Sequence, residues 1–136
     1  MAHSLHNYDG LCKHIHGHSY KMEVTLLGEP KNEPGAMKDG MVIDFGDLKR
    51  IVKKEVVDCF DHSYMVPSRY SNDKIEQLKK TTERLLVVDF QPTAENIVVY
   101  IAEILQQHLP SDVNLYSIRL SETATAYAEW FASDNQ

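Results

Sequence analysis

The sequence predicts an α+β fold, and three observations carry that expectation. Residues 16–26 alternate strictly between apolar or ring-bearing and polar side chains, the period of a half-buried strand. A stripe of Ile97, Ile101, Ile104 and Leu105 recurs at helical spacing after a capping-type threonine, Thr93. The order runs strand, helices, strand, strand, whereas a wound parallel sheet would alternate strands with helices throughout.

In chain order, the first strand places His16, His18, Tyr20, Met22, Val24 and Leu26 on one face, and Gly17, Ser19, Lys21, Glu23 and Thr25 on the other. A loop follows from Gly28 to Gly40, punctuated by Pro30, Pro34 and Gly35. Met41-Val42-Ile43 reads as a short strand. Asp44 then caps a helix whose stripe is Leu48, Ile51, Val52, Val56 and Phe60. Ser71 to Leu85 is mostly polar, with Ile75, Leu78 and Leu85 as its apolar positions, and predicts a surface helix. The Thr93 helix has Glu95 in its first turn, favourable for the dipole, and Pro110 just beyond its end. A strand with Tyr116, Ile118, Leu120 and Glu122 on one face comes next, and the last strand runs over Tyr127 to Phe131.

A length of 136 residues predicts one domain, 1–136, and 43% hydrophobic residues suffice for one core. The net charge of −6 argues against a nucleic-acid partner, which calls for a basic surface. Two cysteines, Cys12 and Cys59, are too few for a disulfide scaffold and fit a reducing compartment. No stretch reads as a secretion signal or as a membrane span of about 18 apolar residues. The expectation is a soluble, cytoplasmic protein.

Four groups of residues carry candidate chemistry. His16 and His18 point the same way from a strand, which suits two ligands of one metal. His3 is the best upstream candidate for a third, and three histidines leave a coordination position open, as in a catalytic zinc site. Imidazole favours zinc, and it also suits copper, iron and nickel. The competing reading is ring packing at a strand end, but burying two imidazoles without a shared partner is costly. Cys12 lies in a loop beside Lys13 and close in sequence to this cluster, where positive charge favours a thiolate able to act as a base. A lone cysteine is more often a small core hydrophobe, and Cys59, in an apolar helical context, takes that reading. Asp61-His62 could pair a carboxylate with a proton-moving imidazole, or simply end a helix in solvent. Glu122 is directed inward by parity, where its two oxygens suit the N–H edge of an aminopyrimidinone such as a pterin or guanine. The alternative for Glu122 is a strand end already back in water.

Taken in order, Ala2-His3, Cys12-x-x-x-His16-Gly17-His18, Gly40-Met41-Val42-Ile43-Asp44-Phe45, Asp61-His62, Pro92-Thr93-Ala94-Glu95-Asn96 and Glu122-Thr123 resemble the 6-pyruvoyltetrahydropterin synthase superfamily. The resemblance implies a tunnelling fold: an antiparallel sheet with helices packed on one face, subunits assembling into a barrel. It implies a zinc ion on His3, His16 and His18, a catalytic thiol at Cys12 working with Asp61 and His62, and a pterin anchor at Glu122. Thr93, Ala94, Glu95 and Asn96 would frame the pterin, with sites shared between subunits of a homo-oligomer. The three-residue gap between Cys12 and His16 resembles the bacterial members that make 6-carboxytetrahydropterin. That implies a pterin triphosphate substrate, 7,8-dihydroneopterin triphosphate, cleaved with release of acetaldehyde and triphosphate on the way to queuosine. The alternatives are triphosphate elimination alone, giving a pyruvoyl product, or pterin binding without catalysis. Family members also carry a strand ahead of the Ala-His pair, which the sequence given, starting at Met1, does not show. The 68–91 segment reads as an insertion near the pocket mouth.

Overall fold

The computed structural model describes residues 1–135. Seven strands are formed: β1 (Ala2–His3), β2 (His16–Gly17), β3 (Lys21–Gly28), β4 (Tyr64–Pro67), β5 (Leu85–Val88), β6 (Val113–Ser121) and β7 (Tyr127–Phe131). The helices are α1 (Phe45–Val52), α2 (Asp58–Phe60), α3 (Asn72–Thr81) and α4 (Ala94–His108). A wide π-type turn over Lys53–Val57 joins α1 to α2, so the predicted 44–60 helix is real but interrupted.

The mixed α+β class holds. The expectation of one antiparallel sheet does not, because the strands pair into two sheets. One is antiparallel, in the order β3-β6-β7; the other has the order β2-β1-β4-β5, with β1, β4 and β5 parallel to one another. The alternating 16–26 segment is accordingly two strands. Burial alternates along it as expected, but strand pairing lapses over residues 18–20: His18 N–H still donates to the Met1 carbonyl, and from Lys21 the chain takes up β6 as its partner.

Three further expectations are corrected. Residues 41–43 form no strand; they close a loop in which Lys31 N–H donates to the Met41 carbonyl. Leu85 belongs to β5 and not to a helix, since α3 ends at Thr81. Tyr116 does not share a face with Ile118 and Leu120. Thr25 pairs with Ser117 but Leu26 pairs with Leu115, so Tyr116 is the extra residue of a β-bulge and turns outward, 43% exposed. The bulge shifts parity by one, so Val113 and Leu115 point inward on one side of it and Ile118 and Leu120 on the other.

Helix ends follow local chemistry. The Asp44 carboxylate accepts from Gly46 and Asp47 N–H and starts α1. Ser71 caps α3 through Lys74 N–H. Thr93 occupies the cap position of α4 without a side-chain bond, contrary to expectation; its backbone N–H instead donates to the Gln91 carbonyl. Helix α4 buries Ile97, Val98, Ile101, Ala102 and Leu105 against β6 and β7. With Trp130, Ile118, Leu120, Val56 and Phe60 they form the main core. A second cluster of Tyr64, Val66 and Tyr70 lies under α3. Among the described residues no helix is long and apolar enough to cross a membrane.

Ile97, in the first turn of α4, is fully buried. Ile97→Ala should cost about 2–5 kcal/mol in urea unfolding, the range for deleting a buried isoleucine side chain. Val99→Ala, on the exposed face of the same helix, should change stability by less than about 1 kcal/mol.

Candidate functional site

The β1–β2 pair sets His3 directly opposite His16, and His18 follows two residues on. One ligand-type nitrogen from each of the three imidazoles lies within 4.8 Å of the others. The rings gather closely, with centroids 4.4 Å apart for His3–His16, 5.1 Å for His16–His18 and 5.3 Å for His3–His18. Two backbone carbonyls fix the tautomers. His3 Nδ1 lies 2.6 Å from the Pro92 carbonyl, and His16 Nδ1 lies 2.8 Å from the His14 carbonyl. A carbonyl only accepts, so each Nδ1 carries the proton and each Nε2 presents a lone pair. This is the outer-sphere arrangement common to metal-binding histidines.

His3 is 3% exposed, and its Nε2 is buried without a hydrogen-bond partner among the described residues. Glu122 Oε1 lies 3.3 Å from it and also 3.4 Å from His18 Nε2. A lone pair facing a carboxylate oxygen is repulsive unless a proton or a metal cation intervenes. The proton is disfavoured: burial holds the His3 imidazole below its ordinary range, the neighbouring His16 adds to that, and the Pro92 bond and the Glu122 charge only partly oppose it. A divalent cation satisfies all these groups, so the residues present fit a three-histidine metal site, with zinc the best match to an all-imidazole set.

Tyr20 completes the cluster. Its hydroxyl donates to Glu122 Oε1 at 2.9 Å, and burial together with the Glu122 charge pushes its pKa up, so it remains a donor. Sequence reading put Tyr20 on the histidine face without giving it a role. The signal was its even-position parity with His16 and His18. Glu122 does turn inward as parity required, and all three of these contacts fall on Oε1.

The other predicted residues are placed less tightly. A cavity of about 450 Å³ opens beside His18 and Tyr20; Asp61 and His62 lie at its rim, and Phe60, Ile97 and Leu120 line its apolar wall. His62 Nδ1 is 3.0 Å from Asp61 Oδ2, so the two adjacent side chains do touch, and this bond holds the Asp61 carboxyl below the usual range. His62 adopts a left-handed backbone, φ 57°, which turns the chain sharply from α2 into β4. Cys12 sits half-buried in a single 3₁₀ turn, Leu11–Lys13, and does not line this cavity. Nor do Thr93, Ala94, Glu95 or Asn96; the Asn96 amide is engaged with the Gln91 carbonyl at 2.9 Å. Cys59, expected in the core, is exposed, because the interrupted helix turns that position toward solvent.

Because His3 is held neutral by burial, the unfolded chain binds more protons there below pH 6.5 than the folded chain does. Metal-free protein should therefore be most stable above pH 6.5 and lose stability as pH falls through the lowered folded pKa. His3→Gln should flatten that dependence in urea melts taken across the range. His16→Ala and His18→Ala should each lose bound zinc by elemental analysis, and full occupancy in the double variant would contradict the site.

Comparison with known proteins gives the family. Residues 1–133 match the family model described as 6-pyruvoyl tetrahydropterin synthase. A Haemophilus influenzae protein named 6-carboxy-5,6,7,8-tetrahydropterin synthase is 39% identical over 134 residues, 96% of this chain and 91% of its own. A Rickettsia typhi protein of the same name is 30% identical over 133 residues, 94% of this chain and 91% of its own. Among solved structures, an uncharacterized Wolinella succinogenes protein superposes with a TM-score of 0.74 at 21% identity, covering 96% of this chain and 92% of that one, a likeness of fold. The Caenorhabditis elegans 6-pyruvoyl tetrahydropterin synthase superposes with a TM-score of 0.62 at 28% identity, covering 96% and 87%. The chain is thus a member of the 6-pyruvoyl tetrahydropterin synthase family of enzymes, with relatives that bear the name of the 6-carboxytetrahydropterin lyase.

Proposed function

We propose that this chain is a zinc-dependent lyase converting 7,8-dihydroneopterin triphosphate to 6-carboxy-5,6,7,8-tetrahydropterin, releasing acetaldehyde and triphosphate, in queuosine biosynthesis. The observation that carries the reading is the convergence of three imidazole nitrogens, one buried and unpartnered, in a chain 39% identical to a protein of that name. His3, His16 and His18 would hold a zinc ion, which when bound would supply Lewis acidity toward the substrate side chain.

The chain's own groups divide the remaining work. Cys12 Sγ, beside Lys13, takes or returns a proton at the side chain. Asp61 fixes the His62 ring through Nδ1, leaving Nε2 to exchange protons at the cavity rim. Glu122 holds the pterin through charge-assisted bonds from its amino and ring N–H groups, with Tyr20 fixing the carboxylate from one side. The 450 Å³ cavity is of a size for a bicyclic ligand; Thr93 to Asn96 lie outside the cavity of their own chain and would frame the ring only in a site shared between subunits. The triphosphate is a small anion, compatible with the acidic overall charge because it needs only a local site.

A homo-oligomer is part of the same reading. Cys12 and His62 share no cavity within one chain, so a site using both draws them from two subunits. Leu11 and Ile15, flanking Cys12, are 85% and 63% exposed, and β3 and β7 leave open sheet edges. Barrel assembly of the antiparallel sheets covers both. A cytoplasmic location fits the two free cysteines.

The alternative is triphosphate elimination without carbon–carbon cleavage, favoured by the likeness to the nematode protein named 6-pyruvoyl tetrahydropterin synthase. Non-catalytic pterin binding is less consistent with the presence of both Cys12 and the Asp61–His62 pair.

With dihydroneopterin triphosphate as substrate, Cys12→Ala should keep its zinc and lose turnover by about 10²–10⁴-fold, the effect of a missing acid–base group. Cys59→Ala should turn over like wild type. Normal turnover in Cys12→Ala would remove the thiol from the mechanism. Glu122→Gln should weaken a stable pterin analogue at least about tenfold in calorimetry, since a charge-assisted bond contributes roughly 1.5–3 kcal/mol. Equal affinities would mean the ring is held elsewhere. Active protein should sediment as an oligomer; an active monomer would contradict the shared site.

A further inference from the structure

We infer that Gln91, Tyr70 and Ser4 form a lock that positions His3 for the metal, an inference resting on the metal reading of the three histidines. His16 and His18 are near neighbours in one segment, and their relative placement follows from the local chain. His3 comes from elsewhere, on a strand only two residues long, and so few backbone bonds aim it.

Three contacts compensate. The residue after His3, Ser4, is 1% exposed, and its hydroxyl lies 2.7 Å from both Tyr64 Oη and Tyr70 Oη. One hydroxyl offers a donor and two acceptor sites, so both tyrosines are served by Ser4 alone. Two residues further, His6 N–H donates to Gln91 Oε1 at 3.1 Å, and Gln91 Nε2 donates to the His6 carbonyl at 2.8 Å. The carboxamide thereby acts as a strand partner would, satisfying both backbone groups of His6. The residue after Gln91 is Pro92, whose carbonyl receives the His3 Nδ1 proton.

The lock is itself anchored. The Gln91 carbonyl accepts from Thr93 N–H at 2.8 Å and from the Asn96 amide at 2.9 Å, tying it to the start of α4. The Tyr70 ring has Lys74 Nζ 3.4 Å from its centroid and the His6 ring at 5.3 Å edge-on. Residues 3–6 are thus fastened to the 64–92 stretch through the His3 ring and through the two residues Ser4 and His6 that follow it. Tyr70 and Gln91 both belong to the 68–91 segment for which sequence reading found no role. Gln91, Tyr70 and Ser4 are positioning residues: they act on the metal through the direction of His3 Nε2 and touch neither metal nor substrate.

The test measures zinc affinity by competition with a chromophoric chelator, together with the ligand-field spectrum of the cobalt(II)-loaded protein. Gln91→Ala should weaken zinc binding about tenfold or more, the usual effect of losing outer-sphere support, and should alter the cobalt bands. Gln91→Glu keeps an acceptor for His6 N–H but sets a carboxylate oxygen against the His6 carbonyl where Nε2 donated, so it too should weaken zinc binding and alter the cobalt bands. Tyr70→Phe keeps the ring and removes only the hydroxyl, and should shift both readouts in the same direction by less. Ile75→Ala, which loosens the packing around Tyr64, Val66 and Tyr70 without touching a hydrogen bond of the lock, should lower the thermal midpoint and leave the cobalt spectrum as in wild type. If Gln91→Ala fails to fold, Gln91→Glu and Tyr70→Phe decide. Wild-type affinity and spectrum in the Gln91 and Tyr70 variants would overturn the lock, as would an Ile75→Ala spectrum shifted equally. A wild-type chain that takes up neither zinc nor cobalt would overturn the metal reading, and the lock with it.

Discussion

The buried lone pair of His3 Nε2, gathered with His16 and His18 around one carboxylate oxygen of Glu122, is the constraint on which the site turns. Tyr20 donates to Glu122, but among the described residues His3 Nε2 has no hydrogen-bond partner, and burial works against its protonation. His3 is 3% exposed, and a cation bound by the three imidazoles would give its lone pair the partner that burial withholds. The surrounding fold serves this constraint. The β1–β2 register opposes His3 to His16, and two carbonyls orient the rings by taking their Nδ1 protons. The inward end of β6 delivers Glu122.

The two-sheet arrangement follows from the same requirement. His16 and Gly17 are needed beside β1, while Met22, Val24 and Leu26 pack on the core behind β6. One flat strand cannot serve both, and the chain passes from one sheet to the other at residues 18–20. His18 and Tyr20 occupy that crossing, which puts them at once in the histidine cluster and on the wall of the main cavity. The cavity and the histidine cluster therefore meet where the sheets part.

Much of this was legible in the sequence, for physical reasons that can be named. Period-two alternation is a local signal, and it placed His16, His18 and Glu122 inward correctly. The stripe of α4 and the Asp44 cap are equally local. What the sequence concealed were features decided by distant partners. The four-residue strands β4 and β5 carry no alternation because β4 is buried throughout, so only their parallel pairing with β1 reveals them. The bulge at Tyr116 depends on its partner strand slipping by one, which composition does not encode. Gln91 is a polar residue in a loop by any local rule; its two bonds to His6 lie 85 positions away. His3 was a candidate only as an upstream histidine and Asp61-His62 only as a dipeptide; the structure gathers His3 with His16 and His18 and brings the Asp61 and His62 side chains into contact.

The central claim is that this metal centre directs carbon–carbon cleavage of a pterin side chain. The most direct measurement incubates the zinc-loaded oligomer with 7,8-dihydroneopterin triphosphate and quantifies acetaldehyde, triphosphate and the pterin product together. Acetaldehyde and triphosphate in equal amounts, matched by 6-carboxy-5,6,7,8-tetrahydropterin and abolished by chelation, is the expected result. Triphosphate with a pyruvoyl pterin and no acetaldehyde, or product formation undiminished without metal, would contradict it.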